Sequence, residues 1–202
     1  MFLLAHTGIT SGATWLMSRY FKGRENVAEE TCGNRSYLFT AYPQPEPENV
    51  NNVDFRLIIL GSILPDIIDK PFELFFPHLG LGTGRGVAHT LAFALLLLVV
   101  GWLLYRRGRP GFLYLALASC GHLVLDRMWD MPAVLLWPFM GVHFPPVGLP
   151  GVAQVDVWWR QLFADPWVWV PEVIGGAIWA GLAVYLTRLH GWRQFLRRGV
   201  LS

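Results

Sequence analysis

Ala88–Tyr105 reads AHTLAFALLLLVVGWLLY, an apolar run whose one polar ionisable group, His89, stands at its start. A second run, Trp167–Leu186 (WVWVPEVIGGAIWAGLAVYL), carries a single formal charge, Glu172. A helix crossing the hydrocarbon core of a bilayer needs about 20 mostly apolar residues, and both runs are of that order. Gly111–Trp129 and Phe55–Phe76 are similar in length, with polar residues toward their C-terminal ends. Phe2–Tyr20, rich in Thr, Ser and Gly, is the weakest of the set. The chain is 53% hydrophobic and only 15% charged, so little polar sequence exists to cover these runs. This pattern predicts an all-α, polytopic membrane helix bundle of about five transmembrane helices, forming one domain over residues 1–202. Four spans with a partly inserted first helix is the alternative. The N-terminus lacks the basic region of a cleavable signal peptide and is expected to be retained.

Charge gives an orientation. Lys and Arg resist translocation and collect on the cytoplasmic side. If five spans alternate, the 18–56 connection, the 105–110 turn and the C-terminal stretch together hold 12 of the 16 basic residues. The opposite set holds Lys70, Arg85, Arg127 and Arg160. The bias predicts N-terminus out and C-terminus in, within the inner (plasma) membrane. Residues 23–54, with Glu25, Glu29, Glu30 and the run YPQPEPE at 42–48, read as a cytoplasmic Pro/Glu-rich loop. Residues 130–166 contain Trp137, Trp158 and Trp159 among many Pro and Gly, and read as a non-cytoplasmic interfacial segment. Cys32 and Cys120 fall on opposite sides and give no disulfide framework.

Ionisable groups inside spans cost about 2.5–3.5 kcal/mol each at a helix centre and mark function when present. His6, Asp66, Asp69, His89, His122 and Asp126 are such groups. Under the orientation above, all six lie toward the same, non-cytoplasmic side. His122 and Asp126 are spaced i,i+4, so on a helix they share a face. Asp66 and Asp69 are spaced i,i+3. A mixed His/carboxylate set suits zinc or another first-row divalent metal, manganese included, better than calcium. The expected metal ligands are His6, Asp66, His89, His122 and Asp126. Asp69 is expected as a general base or a ligand to a second ion. Arg85, out of register with the cytoplasmic charges, either holds an anionic phosphate or is an exposed loop arginine. His143, Asp130, Asp156 and Glu172 rank second, and Glu172 could instead satisfy a neighbouring helix. His78 and His190 are set aside.

In chain order these residues lie in His6, Gly61-Ser-Ile-Leu-Pro-Asp-Ile-Ile-Asp69, Arg85-Gly-Val-Ala-His-Thr90, Gly121-His-Leu-Val-Leu-Asp126 and Leu136-Trp-Pro138. The ordered set resembles the bacterial and archaeal inner-membrane metal-dependent hydrolases that include the LexA-regulated YdjM-like proteins, over residues 1 to 140. The resemblance implies a membrane-bound metal hydrolase. One departure stands out: the family pattern has His before Arg-Gly in the third motif, where this chain has Gly84, so a full two-metal site is in doubt. The ligand order is more loosely similar to that of zinc-dependent phospholipase C.

A site at the outer end of a bundle, beside a Trp-rich surface segment, can reach a lipid headgroup. The expected activity is therefore hydrolysis of a lipid or phosphoester, with membrane lipids as partners and no nucleic-acid contact. An ion- or proton-coupled transporter is the competing class, since intramembrane His and Asp also line ion pathways. A non-catalytic membrane protein with a structural metal is the third.

Overall fold

The computed structural model describes residues 3–32, 53–75, 84–144 and 152–201. Its regular elements are all helical, with no strand among the described residues. They are α1 (Leu3–Cys32), α2 (Phe55–Phe75), α3 (Leu91–Tyr105), α4 (Gly111–Leu125), α5 (Pro132–Leu135), α6 (Val152–Ala164), α7 (Pro166–Arg188) and α8 (Trp192–Arg198). Short 3₁₀ turns at Val87–His89 and Met128–Asp130 complete the set.

Several boundaries differ from those expected. Helix α1 continues past Tyr20 to Cys32, well into the stretch expected to be a loop; the Pro/Glu run at 42–48 and His78 lie outside the described residues. Helix α3 starts at Leu91 because Thr90 caps it: Thr90 Oγ1 accepts from Phe93 N–H at 3.1 Å and donates to Val87 O at 2.8 Å. Helix α4 stops at Leu125, and Arg127 turns the chain with φ 53° in the left-handed region. The expected interfacial stretch contains α5 and α6, with 145–151 outside the described residues.

These boundaries bear on the membrane. Among the described residues one helix, α7, with 23 residues and a mean hydropathy of 1.4 in its most apolar stretch, is long and apolar enough to cross a bilayer; α3 and α4 are apolar but have 15 residues each. Only 11% of that α7 stretch is buried, whereas the core helix of a water-soluble fold is mostly covered. Large apolar side chains face outward on α3 (Leu95, Leu96, Val99, Leu103), α4 (Leu117, Val124) and α7 (Val173, Ile174, Val184). The buried side includes His6, Asp69, His89, His122, Asp126 and Glu172. Among the described residues, then, ionisable side chains share the interior with apolar ones while the outer face of these helices is largely apolar.

Helix α2 packs on α4 and α4 on α3, α1 packs on α7, and α1 joins this pair to the other three helices through α2. The close approaches are made at glycines. A Cβ on Gly175 of α7 would meet Leu4 O and lie 2.8 Å from the Ala5 Cα of α1; one on Gly8 would meet Gly175 O. Lipid offers helices little hydrophobic incentive to associate, so backbone proximity through small residues takes over. The α1–α7 contact is completed by Trp179 Nε1–H donating to Thr7 Oγ1 at 2.9 Å and Leu4 N–H donating to Glu172 Oε2 at 3.0 Å. Glu172 thus serves a neighbouring helix end, one of the two roles its position allowed.

Gly175→Ala is expected to lower stability by roughly 1–3 kcal/mol, the usual cost of overpacking. Gly181→Ala, with open space at its Cβ, is expected to be neutral or to gain up to about 1 kcal/mol in helix propensity. Thermal unfolding of both variants in detergent checks the contrast.

Candidate metal centre

The site is assembled where α2, the 84–90 turn, α4 and the first turns of α1 meet. Helix α2 supplies two carboxylates from one motif, and they point to different work. Asp69 is 6% exposed, and its carboxylate faces the turn that precedes α3. Oδ2 accepts from Gly86 N–H at 2.7 Å and His89 N–H at 3.2 Å, and Oδ1 accepts from Ala88 N–H at 3.2 Å. Oδ2 also accepts from the His89 ring, whose Nδ1 is 2.7 Å away. Four donors converge on one buried carboxylate, a nest of amides completed by an imidazole.

That contact fixes the His89 tautomer. A carboxylate only accepts here, so Nδ1 carries a proton and, in the neutral ring, Nε2 presents its lone pair. The same logic holds for His122. Its Nδ1 is 2.7 Å from Ser62 O, a carbonyl that can only accept, so its Nε2 is likewise bare. These two Nε2 atoms face each other at 3.1 Å, with the rings at 65°. Two lone pairs at that distance repel unless a cation, a proton or a metal ion, lies between them. Both histidines are fully buried.

Carboxylates ring this point. Asp66 Oδ1 is 3.6 Å from His89 Nε2 and 3.8 Å from His122 Nε2. Its other oxygen pairs with Lys70 Nζ at 2.7 Å. Asp126 Oδ2 is 3.9 Å from His89 Nε2 and accepts from Arg85 Nε–H at 2.9 Å. Arg85 also reaches Met131 Sδ at 3.3 Å. Asp126 Oδ1 is 3.2 Å from His6 Nε2. The His6 ring stacks on His122 at a centroid distance of 3.9 Å and 22° between planes. At 3.2 Å the His6–Asp126 pair is close but poorly aligned, and neither His6 nitrogen makes a hydrogen bond. Two groups of three ligand atoms therefore lie within 4.8 Å of one another: Asp66, His89 and His122, and His6, His122 and Asp126.

The structure brings together all seven residues singled out in the sequence, and these His/Asp groups have the composition and spacing to hold a metal ion. Of the second-ranked residues, Asp130 pairs with Arg127 at the surface, Asp156 pairs with Arg160, and His143 is exposed. Two contributors were not foreseen: the Ser62 carbonyl and Lys70. A backbone carbonyl leaves no mark in a sequence. Lys70 did leave one, since it follows Asp66 by four residues and departs from the charge pattern as Arg85 does. Gly84, which stands where the family pattern has His, has φ 68°, backbone that favours glycine.

Residues 36–197 match the family described as the YdjM inner membrane protein. The chain belongs to this family. It is accordingly an inner membrane protein, and every centre residue but His6 falls inside the matched segment. No curated protein and no solved structure matches the chain.

Removing the Asp69 carboxylate strands three buried donors, the Gly86 and Ala88 amides and the His89 ring, each worth about 1–3 kcal/mol when left unpaired, while His89 N–H keeps Gly86 O. Asp69→Ala is expected to lose several kcal/mol of stability and Asp69→Asn less, because one oxygen remains. Thermal unfolding gives the order, and hydrogen exchange at Gly86 and Ala88 should speed up most in the Ala variant.

Proposed function

We propose that the protein is a polytopic membrane hydrolase that uses one divalent metal ion, zinc or manganese, to cleave a phosphoester of an amphiphilic substrate. The observation that carries this reading is the pair of bare Nε2 atoms of His89 and His122 at 3.1 Å, each with its Nδ1 proton committed elsewhere. Two nitrogens bound to one zinc at about 2.0–2.1 Å and a tetrahedral angle stand ~3.3 Å apart, so the observed spacing fits.

His89 Nε2, His122 Nε2 and Asp66 Oδ1 are the protein ligands in this reading, with the Asp126 carboxylate at the fourth side. Asp69 and Ser62 O orient the two imidazoles, the outer contacts that metal-binding histidines require. Asp69 becomes a positioning residue, because its oxygens are occupied by the 86–89 turn. His6 is not assigned to the same ion. Its ring is nearly parallel to that of His122, and in-plane lone pairs of stacked rings do not converge on one point. With its nitrogens free of hydrogen bonds and Asp126 beside it, His6 is the group placed to take a proton from water. A divalent ion bound here supplies Lewis acidity and lowers the pKa of a water toward 7.

The rim favours an anionic substrate. Lys70 and Arg85, each about one-third exposed, pair with Asp66 Oδ2 and Asp126 Oδ2. Depth favours an amphiphile. Asp66 lies ~17 Å along α2 from Phe55, and His122 ~17 Å along α4 from Gly111, at ~1.5 Å per residue. With Arg56, Arg106, Arg107, Arg109, Arg193, Arg197 and Arg198 at the opposite end, the positive-inside bias supports N-terminus out, C-terminus in, and a centre past the midplane toward the outer leaflet. The outward-facing apolar flanks of α3, α4 and α7 support more than one membrane pass. For a transporter, ionisable groups spread across the bilayer depth are expected; the buried ones described here gather at one level.

Elemental mass spectrometry of the detergent-purified protein tests the reading. About one zinc or manganese per chain is expected, lost in His89→Ala and His122→Ala, with metal-dependent release of phosphate or headgroup from phospholipid or phosphoester substrates. Asp69→Asn should weaken metal affinity roughly 10–100-fold without abolishing it. A folded wild-type protein that takes up no metal, even on reconstitution, would overturn the proposal and assign the pair to a shared proton.

A further inference from the structure

Far from the metal centre, the last helix is fastened beneath the bundle with unusual firmness for its seven residues. Phe195 is buried against Phe55 and Leu186. Phe55 N–H donates to Gly199 O at 2.8 Å. Arg56 Nη1 donates to Leu196 O and Arg197 O, both at 3.2 Å, closing the carbonyl end of α8. Asp54 in turn holds Arg56 through Nη2–Oδ2 at 2.7 Å and Nε–Oδ1 at 2.9 Å. The Arg56 guanidinium keeps the Asp54 carboxyl below its ordinary pKa.

The effect of this clamp is to orient what α8 leaves exposed. Trp192 is 39% exposed and Leu196 67%, and beside them Arg193, Arg197 and Arg198 are open to the surroundings. Trp192 is steadied by donating from Nε1 to Thr187 Oγ1 at 3.0 Å. No acidic residue follows Glu172 in the sequence, and Asp54 is already committed to Arg56. The exposed Arg106, Arg107 and Arg109 belong to the same end, since Gly111 adjoins Leu57 near the start of α2. The exposed face of α8 is therefore cationic, apolar-anchored and held in place by backbone contacts.

We infer that α8 is a lipid-binding element that selects anionic phospholipid headgroups of the leaflet it faces. The chemistry matches on both counts. Trp and Leu side chains settle at the boundary of headgroups and acyl chains, and guanidinium groups bind phosphate through paired N–H donors. Surface arginines gain about fivefold in affinity each near an anionic leaflet, by the usual ~1 kcal/mol per charge. This element is separate from the metal centre and does not depend on its occupancy.

Native mass spectrometry of the detergent-solubilised full chain, with equal amounts of phosphatidylglycerol and phosphatidylcholine, tests the inference. Wild type is expected to retain phosphatidylglycerol preferentially, and the preference should fall with added salt. The R193Q/R197Q/R198Q variant should lose most of it, about fivefold per arginine removed. R193K/R197K/R198K, which keeps the charge but not the paired donors, should keep part of it, while R106Q/R107Q/R109Q should retain the larger part. Circular dichroism verifies that each variant is helical. Equal retention of the two lipids by wild type overturns the inference, as does an unchanged ratio in the Gln variant. If the Gln variant fails to fold, the wild-type ratio and the Lys variant still decide it.

Discussion

A carboxylate sealed inside a bundle with an apolar exterior has no water to lean on, and Asp69 meets that constraint with four protons drawn from a single turn. Three come from the backbone of Gly86, Ala88 and His89, and one from the His89 ring. Much of the centre follows from this one contact. The turn is 3₁₀ through His89 N–H to Gly86 O and Thr90 N–H to Val87 O, Asp69 takes its remaining amides, and α3 begins where Thr90 caps it. Because the His89 Nδ1 proton is held, Nε2 is bare and aimed at His122. Helix α2 also supplies the Ser62 carbonyl that sets the other imidazole. On the proposed reading a single helix therefore provides one ligand, Asp66, and the fixtures that orient two more.

The packing around the site obeys the same solvent logic. With apolar side chains facing outward, helices gain little from hiding them against each other, and contact falls to small residues and hydrogen bonds. Gly61 of α2 lies so close to Leu115 of α4 that a Cβ would strike its carbonyl oxygen. That approach lies one residue from the Ser62 carbonyl that accepts from His122. Helix α1 is held against α7 through Gly8 and Gly175, which sets the depth of His6. Rigidity at glycines and fixed imidazole tautomers are two aspects of one arrangement: backbone proximity brings carbonyls within reach of side chains that need them.

The elements visible in the sequence are those that break a pattern. His89 at the head of an apolar run, and His122 four residues before Asp126, stand out because such groups are costly in apolar surroundings. Their order along the chain led to the family, which the match over residues 36–197 then established. What stayed hidden depends on neighbours remote in sequence. Asp66 and Asp69 sit three residues apart in one motif, yet one faces the imidazole nitrogens and the other the turn. Nothing local to α2 tells them apart. Hydropathy likewise overran the true helix ends, because it counts Ala88–Thr90 and residues 126–129 as apolar stretch while hydrogen bonding assigns them to a cap and a turn. The Thr90 cap was in principle readable, as a hydroxyl residue just before the apolar run.

The two ends of the molecule impose opposite demands on the same helices. At one end, on the proposed membrane placement, arginines stay with headgroups, and Arg56 ties α8 to the start of α2. About 17 Å further along α2 and α4, at ~1.5 Å per residue, the charged groups must be paired internally. The described polar interior is paired almost completely; the exceptions are the two ring nitrogens of His6 and the hydroxyl of Ser11. An imidazole that is fully buried, stacked, and without a hydrogen bond is costly to keep. Its retention beside Asp126 is understandable if a further group, a water or the reacting part of a substrate, completes its bonding during turnover. On the proposed reading that group enters at the rim between Lys70 and Arg85, the two partly exposed cations that pair with Asp66 and Asp126.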